Sequence, residues 1–137
     1  MKWLLAALCL ISCCGRQVVS HQTATHGLSL VAPQGGATFY VGDSMKIQWT
    51  IDTAISGLEF EFSPNSAGYF PFAFVADTFT LTGTGNIKTI SWKIPDSVLV
   101  GNNVETSSVT DSGVIMIRDY FDYSIYCVSD RFHVKKR

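Results

Sequence analysis

Glu59 and Glu61 stand on either side of Phe60 in the stretch "LEFEF", and a pair of carboxylates is what acid–base hydrolysis of a glycosidic bond needs. Residues two apart on an extended strand are separated by about 6.5–7 Å, near the roughly 6.5–9.5 Å that an inverting glycosidase leaves for its water. Alternation already accounts for the pair: Leu58, Phe60 and Phe62 take one face of a strand and the glutamates take the solvent face. Parallel side chains on one strand cannot flank a bond from opposite sides. The pair is therefore not read as catalytic.

Asp119, Asp122 and Asp130 could offer oxygen ligands to calcium. Their spacing fits no EF-hand loop, and aspartates are common in turns, so no metal is expected. His21, His26 and His133 raise a different chemistry. Cleavage after Ser20 would leave His21 at the N-terminus, where an amine and an imidazole can grip copper, as in oxidative polysaccharide-active enzymes. Neither His26 nor His133 sits in a motif that would supply the second histidine. A copper-dependent oxidative enzyme using His21 stands as the alternative function. The chain contains no Gly-x-Ser-x-Gly, His-Glu-x-x-His, P-loop or Cys-x-x-Cys motif. The main expectation is thus a protein that is not an enzyme and uses no cofactor.

Aromatic residues supply the remaining candidates. Tyr69 and Phe70 lie between Gly68 and Pro71, with Phe72 and Phe74 just beyond. Aromatics in or beside a loop suggest recognition, so Tyr69, Phe70 and Phe72 are the candidate ligand-binding residues. Trp49 and Trp92 fall on the apolar side of alternating strands and are read as core, not as sugar-stacking platforms.

The elements that position these residues are strands. Leu28–Val31, Thr38–Val41, Met45–Ile51, Leu58–Phe62, Phe72–Asp77, Ile87–Ile94, Val114–Arg118, Tyr123–Val128 and Phe132–Val134 are the apolar or alternating runs. Turn residues separate them, among them Pro33 with Gly35-Gly36, Gly42-Asp43, and a polar stretch from Gly101 to Gly113. The glycines turn the chain so that the Trp49 strand can enter the core. No helical period is visible. The expected fold is all-β, an antiparallel β-sandwich of seven to eight strands.

With 137 residues, 47% of them apolar and 15% charged, the chain builds one core and one domain. Its net charge of −1 gives no reason to expect nucleic acid. Met1-Lys2 followed by the apolar run Trp3–Cys14 reads as an export signal, too short for the about 20 residues a membrane span needs. Leu10-Ile11-Ser12-Cys13 resembles a bacterial lipobox, which would make Cys13 the lipid-bearing first residue; cleavage after Ser20 is the rival. The organisation expected is a signal and lipobox region over residues 1–20, a linker over 21–27 and a single domain over 28–137. Cys127 alone of the four cysteines lies in the body. It is read as a small buried apolar residue, with a bridge to Cys14 as the other option.

Three motifs in order add a family resemblance. "LVAPQGGATFYVGDSMKIQWTI" resembles the opening of the Kre9/Knh1-type domain of the Ser-Thr-rich GPI-anchored membrane family. "ISWKIPDSV" is similar to its Trp-x-Val-Pro strand, and "VIMIRDYFDYSIYCVSDRFHV" to its closing strands. The resemblance runs from about Leu28 to Val134. It implies an immunoglobulin- or fibronectin-III-like sandwich at a cell surface, of the kind linked in fungi to β-1,6-glucan assembly. The family offers no catalytic residues to carry over. The segment "SPNSAGYFPFAFVAD" departs from its pattern, and the Ser/Thr-rich tail and hydrophobic end of a GPI precursor do not follow the domain. With the lipobox, this points to a bacterial member. The function expected is a non-catalytic cell-envelope or cell-surface module that contacts wall polysaccharide or another envelope protein. It would be exported, and would touch the membrane through a lipid anchor only.

Overall fold

The structure, a computed structural model, describes residues 27–51, 55, 57–65, 72–78 and 87–137. The candidates Cys13, His21, His26, Tyr69 and Phe70 lie outside these residues, as does Cys14.

Strict alternation sets the first sheet. In β3 (Ser44–Thr50) Met45, Ile47 and Trp49 are buried while Ser44 and Lys46 are exposed, the period-2 pattern of a half-covered strand. β3 pairs antiparallel with β1 (Ser29–Ala32) and with β6 (Lys88–Lys93). The result is a three-stranded sheet in the order β1-β3-β6.

The second sheet has the order β2-β11-β9-β4-β5, with β10 also on β9. It comprises β2 (Thr38–Tyr40), β4 (Leu58–Ser63), β5 (Ala73–Thr78), β9 (Thr110–Asp119), β10 (Tyr126–Val128) and β11 (Phe132–Lys135). β9 is central, and its run Val114-Ile115-Met116-Ile117 is buried on both faces, which explains an apolar stretch without alternation. β10 and β11 share one side of β9: Cys127 lies opposite Ile117, and Phe132 opposite Gly113. Ser129 joins them, its hydroxyl accepting the buried Ile115 N–H at 2.9 Å.

The sheets pack face to face as an all-β sandwich. Trp49 meets Phe60 at 4.7 Å between ring centroids, and Phe62 meets Trp92 at 5.1 Å. Each contact joins one sheet to the other, so the core runs between them. Tyr40, Val41, Gly42 and Asp43 form a turn closed by Asp43 N–H to Tyr40 C=O at 2.9 Å. Gly42 takes φ +88° there, the third-position geometry of a type II turn that favours glycine.

Three features differ from the sequence reading. Eleven strands occur among the described residues against the seven to eight expected; two of them, β7 (Ser97–Val100) and β8 (Val104–Ser107), form a separate hairpin. β8 is largely exposed and polar, so its sequence carries no apolar pattern. β9 starts at Thr110, inside the stretch read as polar. β2 runs parallel to β11, with Thr38 opposite His133, so the second sheet is mixed. The chain crosses from the first sheet to the second at Pro33–Ala37, between β1 and β2.

Candidate functional site

The outer row of β4 holds the two glutamates, and the register sets Arg118 of β9 directly opposite Glu59. From there the guanidinium reaches both. Its Nε donates to Glu59 Oε2 at 3.0 Å and its Nη2 to Glu61 Oε1 at 3.1 Å. The Tyr123 ring lies beneath the same cation, 4.2 Å from centroid to Cζ, within cation–π range.

This corrects the placement of the glutamates on a solvent face. Glu61 is only 8% exposed and Glu59 is half-buried, because β4 is an interior strand flanked by β5 and β9. Burial pushes the Glu61 carboxyl above the ordinary carboxylate range; the Arg118 charge opposes this and the Glu59 charge adds to it. Burial works against the Arg118 cation, but its hydrogen bond to Glu59 and the charges of Glu61, Glu59 and Tyr123 outweigh that and raise its pKa. Glu61 Oε2 is buried with no hydrogen-bond partner, an unfavourable state for a carboxylate.

Glu61 also borders an open cleft of about 550 Å³ whose walls include Phe72, Phe74, Trp92, Ser97 and Asn103. Each wall has a separate structural origin. Phe72 precedes β5, and Phe74 sits opposite Glu61 in the ladder and is 60% exposed. Asn103 adopts φ +61° in the turn of the β7–β8 hairpin. Ser97 is held there by donating its hydroxyl to Glu105 Oε1 at 2.5 Å.

Trp92 is half-buried and packs on the core through Phe62, so the core assignment holds for part of the side chain, which also borders the cleft. β6 is an edge strand, and Trp92 stands near its end, close to Pro95. Trp49, in the middle strand, is 1% exposed and wholly core.

Of the candidate ligand residues, Phe72 is thus at the cleft, and Tyr69 and Phe70 lie outside the described residues. Glu61, Trp92 and the hairpin residues were not singled out as ligand contacts. An apolar face that includes Trp92 carries no mark of a missing neighbour, and a carboxylate between apolar residues looks solvated.

Asp119 and Asp122 serve turns. Asp119 Oδ1 accepts the N–H of Phe121 at 2.8 Å, and Asp122 Oδ1 accepts the N–H and the hydroxyl of Ser124 at 3.0 and 2.6 Å. His133 Nδ1 lies 3.2 Å from Asp111 Oδ1. Among the described residues no three His, Cys, Asp or Glu side chains are placed to hold a metal ion. Cys127 is a buried free thiol. Burial pushes its pKa up to about 12, with a hydrogen bond to the Leu30 backbone pulling the other way.

No protein-family model matches the chain, and no curated protein matches it. The family resemblance therefore rests on its residue motifs alone.

Proposed function

We propose that the chain is an exported, non-catalytic binding module of the cell envelope, with a segment of wall polysaccharide as its ligand. One observation carries this reading: an open cleft whose wall sets the rings of Phe72, Phe74 and Trp92 beside the polar side chains of Glu61, Ser97 and Asn103. A pyranose ring presents an apolar C–H face and a rim of hydroxyls. The face suits Trp92 and Phe74, and the hydroxyls suit Glu61, Ser97 and Asn103. The cleft volume, about 550 Å³, falls in the range of small-ligand sites.

The non-catalytic part rests on the carboxylates. Glu59 and Glu61 share one strand face and one guanidinium, whereas hydrolysis needs them on opposite sides of the bond. Two sheets in the orders β1-β3-β6 and β2-β11-β9-β4-β5, with the chain crossing between them after β1, support the immunoglobulin-like form of the sandwich. The three sequence motifs support kinship with the Kre9/Knh1-type domain. The apolar N-terminal run supports export, with a lipid at Cys13.

Retention on insoluble wall polysaccharides tests the proposal. Trp92→Ala and Phe74→Ala should each weaken retention several-fold, since each removes one of the aromatic faces of the cleft. Tyr69→Ala/Phe70→Ala measures what these two candidate aromatics add. Undiminished retention by folded Trp92→Ala and Phe74→Ala proteins would remove the cleft from the site.

A further inference from the structure

The turn between β9 and β10 holds three aromatic rings in solvent: Tyr120 is 42% exposed, Phe121 70% and Tyr123 59%. The turn is ordered by the N–H groups of Phe121, Asp122 and Ser124, which donate to the Asp119 and Asp122 carboxylates. Tyr120 and Phe121 meet edge to face at 5.3 Å, and Tyr123 is fixed against Arg118. Apolar rings held out by a preorganised turn are surface prepared for an apolar partner.

The position of the turn says which partner. Leu58 at the start of β4 lies opposite Asp119, and the Tyr120 N–H donates to Gly57 C=O at 3.2 Å. Ser29, where β1 begins, lies opposite Thr50, where β3 ends. Residues 51–57 connect β3 to β4, so the start of β1 and the aromatic turn share one end of the sandwich. A lipid at Cys13 would therefore be tethered at the end that carries these rings. Thirteen residues, 14–26, separate Cys13 from the described chain and can span at most about 45 Å. Such a tether keeps the turn at high effective concentration over any surface the anchor occupies. The cleft is at the other end: Phe72 precedes Ala73, which lies opposite Phe62 near the close of β4, and Trp92 lies opposite Met45 at the start of β3.

We propose that the Tyr120–Tyr123 turn docks into the headgroup–acyl boundary of the bilayer, so that the module stands on the membrane with its cleft facing outward. The proposal rests on the anchored form of the proposed function. Tyrosine rings suit that boundary, with an apolar body and a polar tip. The exposed Asp122 carboxylate disfavours anionic headgroups and so favours zwitterionic lipid.

Processed full-length protein mixed with phosphatidylcholine vesicles whose acyl chains carry bromine tests this. Phe121→Trp is compared with the parent protein, so that Trp49 and Trp92 cancel. The added emission should shift to the blue and be mostly quenched. Val104→Trp, beside the cleft, should keep its emission. If the protein sediments with vesicles and its intact mass shows acyl chains, but the Phe121→Trp emission stays unquenched, docking is overturned and the anchor survives. Quenching without acyl chains in the mass keeps docking and removes the lipid at Cys13. Absence of both quenching and sedimentation overturns both. Phe121→Ser, which asks the turn to accept no larger ring, provides a second reading: it should lower vesicle association of Cys13→Ser protein several-fold, and an unchanged association counts against docking.

Discussion

Glu61 shows how one side chain can answer to two demands. Arg118 satisfies one oxygen of its carboxylate and leaves the other buried without a partner. Desolvation then outweighs the ion pair and raises its pKa above 4.5. The folded protein therefore keeps the Glu61 proton at pH values where the unfolded chain has released it. Where the native state binds more protons, stability falls as pH rises. The loss begins near the ordinary carboxylate value and is complete above the raised folded one. Glu61→Gln cannot ionise, so it should escape this part of the loss, keeping Arg118 on Glu59. Thermal unfolding of both proteins across the acid and neutral range checks the expectation: the variant should gain on wild type as pH rises through that window. Parallel profiles would mean that Glu61 ionises as freely in the fold as outside it. A partly unsatisfied carboxylate at the wall of a cleft is also the kind of local conflict that binding sites retain.

At the scale of elements, β9 binds the second sheet together, and Gly113 marks where it must pass closest to its neighbours. A Cβ there would lie 3.0 Å from Phe132, 3.1 Å from Thr110 and 3.2 Å from Phe62. Two of those contacts are core aromatic rings, buried at zero exposure and packed on each other. Neither can retreat cheaply from a close-packed interior. Gly113→Ala should cost about 1–3 kcal/mol by overpacking, read as a lowered denaturant midpoint with an unchanged slope. A gain in stability would show that the rings have room to shift. The sequence made β3 and β4 legible because each has an apolar row on one face. It made the hairpin β7–β8 illegible for the opposite reason. Val98 and Val100 are buried, yet Leu99 between them is exposed, and the partner strand β8 carries no buried residue. The first four residues of β9 are similarly polar and owe their strand state to pairing with β11. Alternation reveals which face a strand buries; it does not reveal a strand held by its edges, nor that Trp92 stands where the opposite sheet ends. Phe72 could be placed near a site from its loop context, whereas Glu61 and Arg118 come together only through register.

Across the whole molecule the two sheets share one core, and Trp49 and Cys127 report on it from opposite sides. Trp49 lies on the middle strand of the first sheet and packs on Phe60 of the second. Cys127 sits on β10, buried at zero exposure beside the first strand. Two sheets joined through a single core should open together, in one cooperative transition. The Cys127 thiol, with its pKa near 12, should resist labelling in the native state at neutral pH and react only through that opening. Its raised pKa also means that the fold keeps the proton where the unfolded chain loses it, so this thiol subtracts stability as pH climbs from about 9 toward 12. Trp49→Ala removes a large buried ring and should cost about 3–5 kcal/mol. If opening is global and fast compared with labelling, that cost must reappear as a rate. Each 1.4 kcal/mol is about tenfold, so labelling of the peptide carrying Cys127 should accelerate by about two to three and a half orders of magnitude. Labelling at the wild-type rate in a variant whose melting temperature has fallen would show that Cys127 is reached by a local opening of β10, and that the sandwich does not unfold as one body.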